Sequence, residues 1–147
     1  MGVFVGLTKI QSLRNRIELL KIFRDFLIGL KAQISFSSFS LEEFVTGNGK
    51  NGFSTALLSA LKKDGIPQAY ENTARNFFTF HGDAEMAIAF LLDFGRTDLE
   101  NQLFNLRRYI DLIDTKIEET SAQYREKSKV NLLFYSFIGV AVALVLI

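Results

Sequence analysis

The chain has 147 residues, with 17 Lys and Arg against 16 Asp and Glu, one His and no Cys. A formal net charge of +1 gives no concentrated basic surface, so nucleic acid is not expected as a partner. The absence of Cys excludes disulfides and thiolate metal sites, and the length predicts a single domain with a modest core.

The N-terminal part predicts a short apolar stub followed by a long helix. Residues 1–7 are apolar but too few to cross a membrane or to form a signal peptide, so they lie on the membrane surface or are the remnant of a first membrane span. Apolar residues then recur at intervals of three and four from Leu13 to Ile34, with charged residues between them. This spacing predicts an amphipathic helix that ends within residues 35–40.

Short helices are predicted in the middle of the chain. Ser40-Leu41-Glu42-Glu43 has the form of a capping box that opens a second helix. Residues 47–52 contain three Gly and two Asn and predict an exposed, flexible connection. A third helix is expected over residues 54–63, where two Lys and a following Gly suit its C-terminal end.

Two further short helices are expected before the last one. Pro67 suits the first turn of a fourth helix, and Asp83 can cap the start of a fifth that runs to about Phe94.

The last helix is the dominant predicted element. Thr97-Asp98-Leu99-Glu100 is a second capping box, and no Pro and no Gly before Gly139 interrupts the helix that it opens. Its soluble half carries apolar positions at alternating intervals of four and three, the pattern of a heptad seam. The seam consists of Leu99, Leu103, Leu106, Ile110, Ile113, Ile117, Thr120 and Tyr124. Its partner is the first helix of the same chain in an antiparallel hairpin or, alternatively, a second copy in a homodimeric coiled coil.

Residues 130–147 predict a C-terminal transmembrane helix. They carry no charge, and 18 residues of helix cover ~27 Å of the ~30 Å hydrocarbon core. Just before them stand Arg125, Lys127 and Lys129 against one acid, Glu126. The positive-inside bias therefore places the helical domain of residues 8–129 in the cytoplasm. The sequence as a whole predicts an all-α protein, an antiparallel hairpin of long helices capped by several short helices and continuing into a membrane span.

No catalytic, cofactor-binding or metal-binding residue is predicted. Ser59 and Lys62 fit a Ser-x-x-Lys spacing, but the companion motifs of acyl-enzymes are absent from the sequence. His81 and Glu85 share one helix face, yet no second His or Cys completes a zinc set, so packing or capping explains them better. We therefore expect a protein that is not an enzyme.

Phenylalanine is the more unusual signal, with 15 residues in the chain. Core packing explains most of them. Phe77, Phe78 and Phe80 cluster beside a turn and are predicted to form an exposed apolar patch for another subunit.

The C-terminal half resembles the stage III sporulation protein AB family of endospore-forming bacteria. The resemblance begins at Phe94-Gly95-Arg96-Thr97-Asp98 and continues through Gln102, Lys129 and Gly139, which fall in register with the family pattern. It implies that Gly95, Asp98 and Gln102 form a characteristic turn at the membrane-distal end, where a partner binds. Residues 1–7 cannot supply the first membrane span that the family usually carries.

This resemblance implies a non-catalytic subunit of the sporulation channel complex that joins mother cell and forespore. Such a subunit is similar to inner-membrane platform proteins of type II secretion and type IV pilus machines. It would sit in the mother-cell membrane around the forespore, bind the complex's cytoplasmic ATPase and other membrane subunits of the channel, and could form a homo-oligomer. The alternative is an unrelated tail-anchored helical adaptor whose exposed seam recruits a coiled-coil partner.

Overall fold

A computed structural model describes residues 2–34, 41–47, 50–94 and 99–146. Within these ranges every regular element is a helix, and the fold class predicted from the sequence is confirmed. In chain order the elements are α1 (Gly2–Ile34), α2 (Leu41–Gly47), α3 (Gly52–Lys63), α4 (Gln68–Phe77), α5 (His81–Asp93) and α6 (Leu99–Leu146).

The two long helices, α1 and α6, pack against each other along the domain. Ile10 of α1 lines the same cleft as Tyr124 of α6, and further along α1 the guanidinium of Arg24 binds the carboxylate of Asp114. Residue numbers therefore rise along α1 as they fall along α6, which makes the pair antiparallel. This is the hairpin that the heptad pattern predicts.

The seam of α6 is mostly covered. Leu106 and Ile113 are fully buried, Ile110 and Thr120 are buried, and neighbouring positions of the seam pack partly against the core. Leu99, the first position of the seam, is 51% exposed. The alternative with an open seam in the monomer does not match this packing, because α1 of the same chain occupies the seam.

An aromatic cluster forms the centre of the core. The rings of Phe23 and Phe26 from α1 meet Phe53 of α3 edge-on, with centroids 4.9 and 5.0 Å apart respectively. Phe78, at the end of α4, meets Phe23 at 5.5 Å. Each such pair adds about 0.5–1.5 kcal/mol beyond the burial of its area. The cluster explains why the first helix and the short helices pack as one body.

The short helices follow one another across the face of α1. Contacts link α2 to α3, α3 to α4 and α4 to α5, and α3 also rests on α1. The prediction of several short helices between two long ones is therefore confirmed within the described residues. Ser40, Thr97 and Asp98, which belong to the two predicted capping boxes, lie outside the described residues.

Asn51 changes the interpretation of the glycine-rich connection. Its Oδ1 accepts hydrogen bonds from the backbone N–H groups of Phe53 at 3.0 Å and Ser54 at 3.1 Å, so it caps α3. Its Nδ2 donates to the carbonyl of Ile22 in α1 at 3.0 Å. This end of the segment is therefore tied to the core, and α3 begins at Gly52 rather than at the predicted residue 54.

The predicted starts of the fourth and fifth helices need correction. Pro67 lies at the N-cap of α4 and not in its first turn. Phe80 occupies the N-cap of α5 without a side-chain cap bond, and Asp83 lies inside the helix and is fully buried. Asp83 therefore does not cap α5, because its carboxylate binds cations of two other helices.

The last helix is continuous from the domain into the apolar segment. α6 contains 48 residues and is ~72 Å long. Its apolar end is long enough to cross a membrane, with a mean hydropathy of 2.0, and none of that stretch is buried within the protein. At the other end of the chain, α1 begins at Gly2, so residues 2–7 continue the first helix without a break.

Candidate partner-docking surfaces

The phenylalanines beside the turn between α4 and α5 do not form one exposed patch. Phe78 is only 5% exposed and belongs to the core. Phe77 is half-buried, and its ring lies 5.0 Å from that of Phe78 and 5.2 Å from that of Phe53. Phe80 alone among the three predicted residues is exposed, at 47%. Burial of Phe78 contradicts its predicted place in an exposed patch.

Phe80 lies against the guanidinium of Arg16. The Cζ atom of Arg16 is 3.9 Å from the ring centroid, a cation–π arrangement. The Phe80 ring therefore covers the outer side of the Arg16 guanidinium, whose N–H groups point toward the interior. Because it contacts Arg16, Phe80 lies beside the first half of α1.

A buried carboxylate lies beneath this ring. Asp83 Oδ2 accepts a hydrogen bond from Arg16 Nε at 2.8 Å, and Oδ1 accepts one from Arg16 Nη2 at 3.0 Å. Lys116 Nζ is 3.8 Å from the same Oδ1. Asp83 therefore joins α5 to α1 and α6. Two cations on one buried carboxylate compensate for its removal from water.

The sequence alone gave no sign of this network. In the sequence, Arg16 is one of the charged residues between the apolar positions of the first helix, and Asp83 is predicted to cap the fifth helix. Neither pattern indicates that two residues 67 positions apart are in contact.

A second, more exposed ion pair links the long helices directly. Arg24 of α1 donates to both carboxylate oxygens of Asp114 of α6, with Nη2 to Oδ2 at 3.4 Å. The pKa of the Arg24 guanidinium is raised above its usual value, chiefly because of this hydrogen bond to Asp114. Both side chains keep much of their contact with water, so the pair adds little to stability.

The membrane-distal end contains the other predicted docking residues. Gly95 and Asp98 lie outside the described residues. Gln102, in the first turns of α6, is half-buried and lines a small cleft with Phe90 of α5 and Tyr109 of α6. The ring centroids of Phe90 and Tyr109 are 5.2 Å apart, and both rings line this cleft.

Phe104 is a surface residue that sequence analysis missed. It is 64% exposed, and it is two residues from the buried Leu106, which places it ~200° around the helix from the seam. A large exposed aromatic residue two positions after Gln102 makes the distal end a candidate docking surface. The heptad pattern could have indicated it, since Phe104 is an aromatic residue that falls off the seam.

The structure separates the two predicted docking regions. Phe80 lies beside Arg16, and Asp83 three residues further on reaches Lys116 of α6. Gln102 is 14 residues from Lys116 along the same helix, or ~20 Å. A compact partner domain that binds at Gln102 therefore need not reach Phe80.

The cations that flank the apolar segment are exposed. Arg125, Lys127 and Lys129 all lie on the surface of α6 directly before Val130. Within the described part of the chain, these three residues have no ion-pair partner. Their position agrees with the membrane-flanking role that the sequence predicts for them, which stays a prediction.

The residues considered for chemistry lie on the surface. His81 is 80% exposed, and its Nε2 is 3.6 Å from Glu85 Oε1, which also pairs with Arg75 at 2.8 Å. Ser59 and Lys62 are both exposed on α3. Among the described residues, no three His, Asp or Glu side chains form a group that could hold a metal ion.

Fold and surface together define a class: a small helical domain built on a long helix that runs on into an apolar segment able to span a membrane. The family model of stage III sporulation protein AB matches residues 1–147, the whole chain, and the chain belongs to this family. It therefore has a role in stage III of sporulation. Neither the curated proteins nor the solved structures contain a significant match.

Proposed function

We propose that this protein is a non-catalytic, membrane-anchored subunit of the sporulation channel complex between mother cell and forespore, and that its helical domain docks the complex's cytoplasmic ATPase. Membership of the stage III sporulation protein AB family supports the sporulation role. The proposal that the domain docks the ATPase is supported by the unbroken length of α6 and by the exposed aromatic residue at its distal end.

The observation that carries the proposal is the unbroken course of α6. From Leu99 to Lys129 the helix is ~45 Å long, and α1 covers its seam over much of that distance. Two packed helices are stiffer than one, so the distal surface is held at a fixed height above the bilayer. A motor that works against a membrane complex needs such a fixed attachment point.

The distal end is the docking surface that we favour. Phe104 presents an exposed aromatic ring, the kind of residue that dominates the energy of protein interfaces. Gln102 lies two residues away, ~200° around α6, and lines the small cleft on the other side of the distal end. Gly95 and Asp98 precede it in the sequence, and the family resemblance assigns them to the same turn.

The proposal is tested by the affinity of the purified sporulation ATPase for the full chain in phosphatidylcholine nanodiscs, measured by biolayer interferometry. Phe104→Ala is expected to weaken binding about 30-fold, the loss of an interface hot spot. Phe80→Ala is the matched control, since it also removes one exposed phenylalanine, and a change below about twofold is expected. The full chain alone is expected to hydrolyse no ATP.

Other outcomes have definite meanings. No binding by the unaltered chain would refute ATPase docking. Loss of affinity in Phe80→Ala with full affinity in Phe104→Ala would move the docking surface to the turn between α4 and α5 and refute the distal assignment.

The proposed orientation has its own test. Arg125, Lys127 and Lys129 favour a cytoplasmic domain by the positive-inside bias. In intact protoplasts, a cysteine introduced at the exposed Ser59 is expected to react only with a membrane-permeant maleimide. Reaction with an impermeant maleimide would place the domain on the outer side.

A further inference from the structure

The antiparallel hairpin brings the beginning of α1 beside the part of α6 that precedes the apolar segment. One open cleft, the membrane-proximal cleft, is lined by residues of both helices. Its walls include Ile10, Ser12, Arg14, Asn15 and Glu18 of α1 and Tyr124 of α6. Tyr124 is six residues, or ~9 Å, before the apolar segment at Val130. The side chain of Tyr124 therefore lies at the outer edge of the lipid headgroups, which form a layer ~5–8 Å deep beyond the hydrocarbon core.

Arg14 lines this cleft, and further cations lie close to the lining residues in the sequences of both helices. Lys9 and Arg14 are exposed on α1, and the three flanking cations are exposed on α6, one to five residues after Tyr124. In the described ranges, neither Lys9 nor Arg14 has an ion-pair partner. The acids nearest to them in sequence are Glu18, in the cleft wall, and Glu126 on α6. Five cations against two acids leave a clear positive excess beside the membrane.

The lining of the cleft suits a phosphate group. Arg14 can donate two parallel hydrogen bonds to phosphate oxygens, and the hydroxyl groups of Ser12 and Tyr124 and the amide of Asn15 are further donors. Ile10 gives the same cleft an apolar contact on its membrane side. A ligand with an anionic head and an apolar tail fits this combination better than a free anion does.

We propose that the membrane-proximal cleft binds the headgroup of an acidic phospholipid, with cations from α1 and α6 on its two sides. The contribution of α1 separates this site from ordinary attraction between juxtamembrane cations and an anionic bilayer, which α6 alone would provide. A lipid held between the helices would also fix the hairpin upright at the bilayer surface. The inference concerns lipid only and holds whether or not the distal end docks an ATPase.

The test uses the full chain in phosphatidylcholine bilayers that contain spin-labelled phosphatidylglycerol or spin-labelled phosphatidylcholine. Electron paramagnetic resonance measures the immobilised fraction of each probe and hence their relative association constant. The unaltered protein is expected to prefer phosphatidylglycerol. The double variant with Lys9→Gln and Arg14→Gln is expected to show a lower preference for phosphatidylglycerol, by up to about fivefold for each cation removed. Lys62→Gln with Lys63→Gln, which removes two cations from the end of α3, is the matched control and should leave it unchanged.

Three results would overturn the proposal. Equal association of both probes with the unaltered protein would mean that no acidic lipid is selected. An unchanged preference for phosphatidylglycerol in the variant with Lys9→Gln and Arg14→Gln would mean that the cations of α6 alone attract the lipid. Abolition of the preference by excess inorganic phosphate, at an ionic strength matched with chloride, would indicate a site for a soluble anion and not for a lipid.

Discussion

Replacement of the buried carboxylate by an amide, Asp83→Asn, is expected to destabilise the helical domain strongly. The substitution keeps size and shape but removes the charge that Arg16 and Lys116 share. Breaking a buried ion pair costs about 3–5 kcal/mol because it leaves a charge without compensation. Both cations keep some contact with water, so we expect the low end of this range, about 3 kcal/mol.

The assay is thermal and urea unfolding of the full chain in detergent micelles, followed by circular dichroism. For a domain of this size, about 3 kcal/mol lowers Tm by roughly 10 °C. Asp114→Asn is the matched control, since it also removes one acid that pairs with an arginine of α1. Because the Arg24 pair is exposed, its loss should cost no more than about 1 kcal/mol.

A double variant separates the charge effect from the loss of packing. Replacing Arg16 by Met in the Asp83→Asn background removes the principal unpaired cation and should recover a large part of the stability. Equal, small losses in Asp83→Asn and Asp114→Asn would contradict the argument, because they would mean that water reaches Asp83 as freely as it reaches Asp114.

Three further predictions use the same unfolding assay. Asn51→Ala should cost about 1–2 kcal/mol, since it removes the cap of α3 and the bond to α1, whereas Asn51→Asp should keep most of the capping. Phe23→Ala should lower the free energy of unfolding by about 3–5 kcal/mol because it leaves a cavity in the aromatic core. Phe104→Ala, at an exposed position, should change the free energy of unfolding by less than about 0.5 kcal/mol. Equal losses in the two variants would contradict the burial of Phe23. The pKa of Arg24 is raised, chiefly by its hydrogen bond to Asp114, so the stability that it contributes is complete below the unfolded pKa and is lost only as pH rises through the folded value. Replacing Arg24 by Gln should therefore lower the free energy of unfolding by the same amount at about pH 6 and about pH 9; a difference that grows toward high pH within this window would refute the assignment.

The separation of the predicted docking residues shows where sequence reasoning reached its limit. Phe77, Phe78 and Phe80 are close in sequence, but the end of α4 turns Phe78 into the core and leaves Phe80 on the surface. The direction of each ring depends on how the chain bends between two helices. Apolar character alone could not decide which ring a partner could reach.

The sequence by itself determined the helices and the course of the last one. A helical period relates residues three and four apart, so apolar spacing and the absence of Pro predict the seam and the continuous α6 from local information. The uncharged segment after Lys129 is likewise visible in composition alone.

Only the tertiary structure decided which distant residues meet. Arg16, Asp83 and Lys116 belong to three different helices, and their contact depends on the packing of whole helices against the aromatic core. The same holds for the cleft that Ile10 shares with Tyr124. Such contacts are fixed by the register of the hairpin, which is the sum of many weak packing terms that no short stretch of sequence contains.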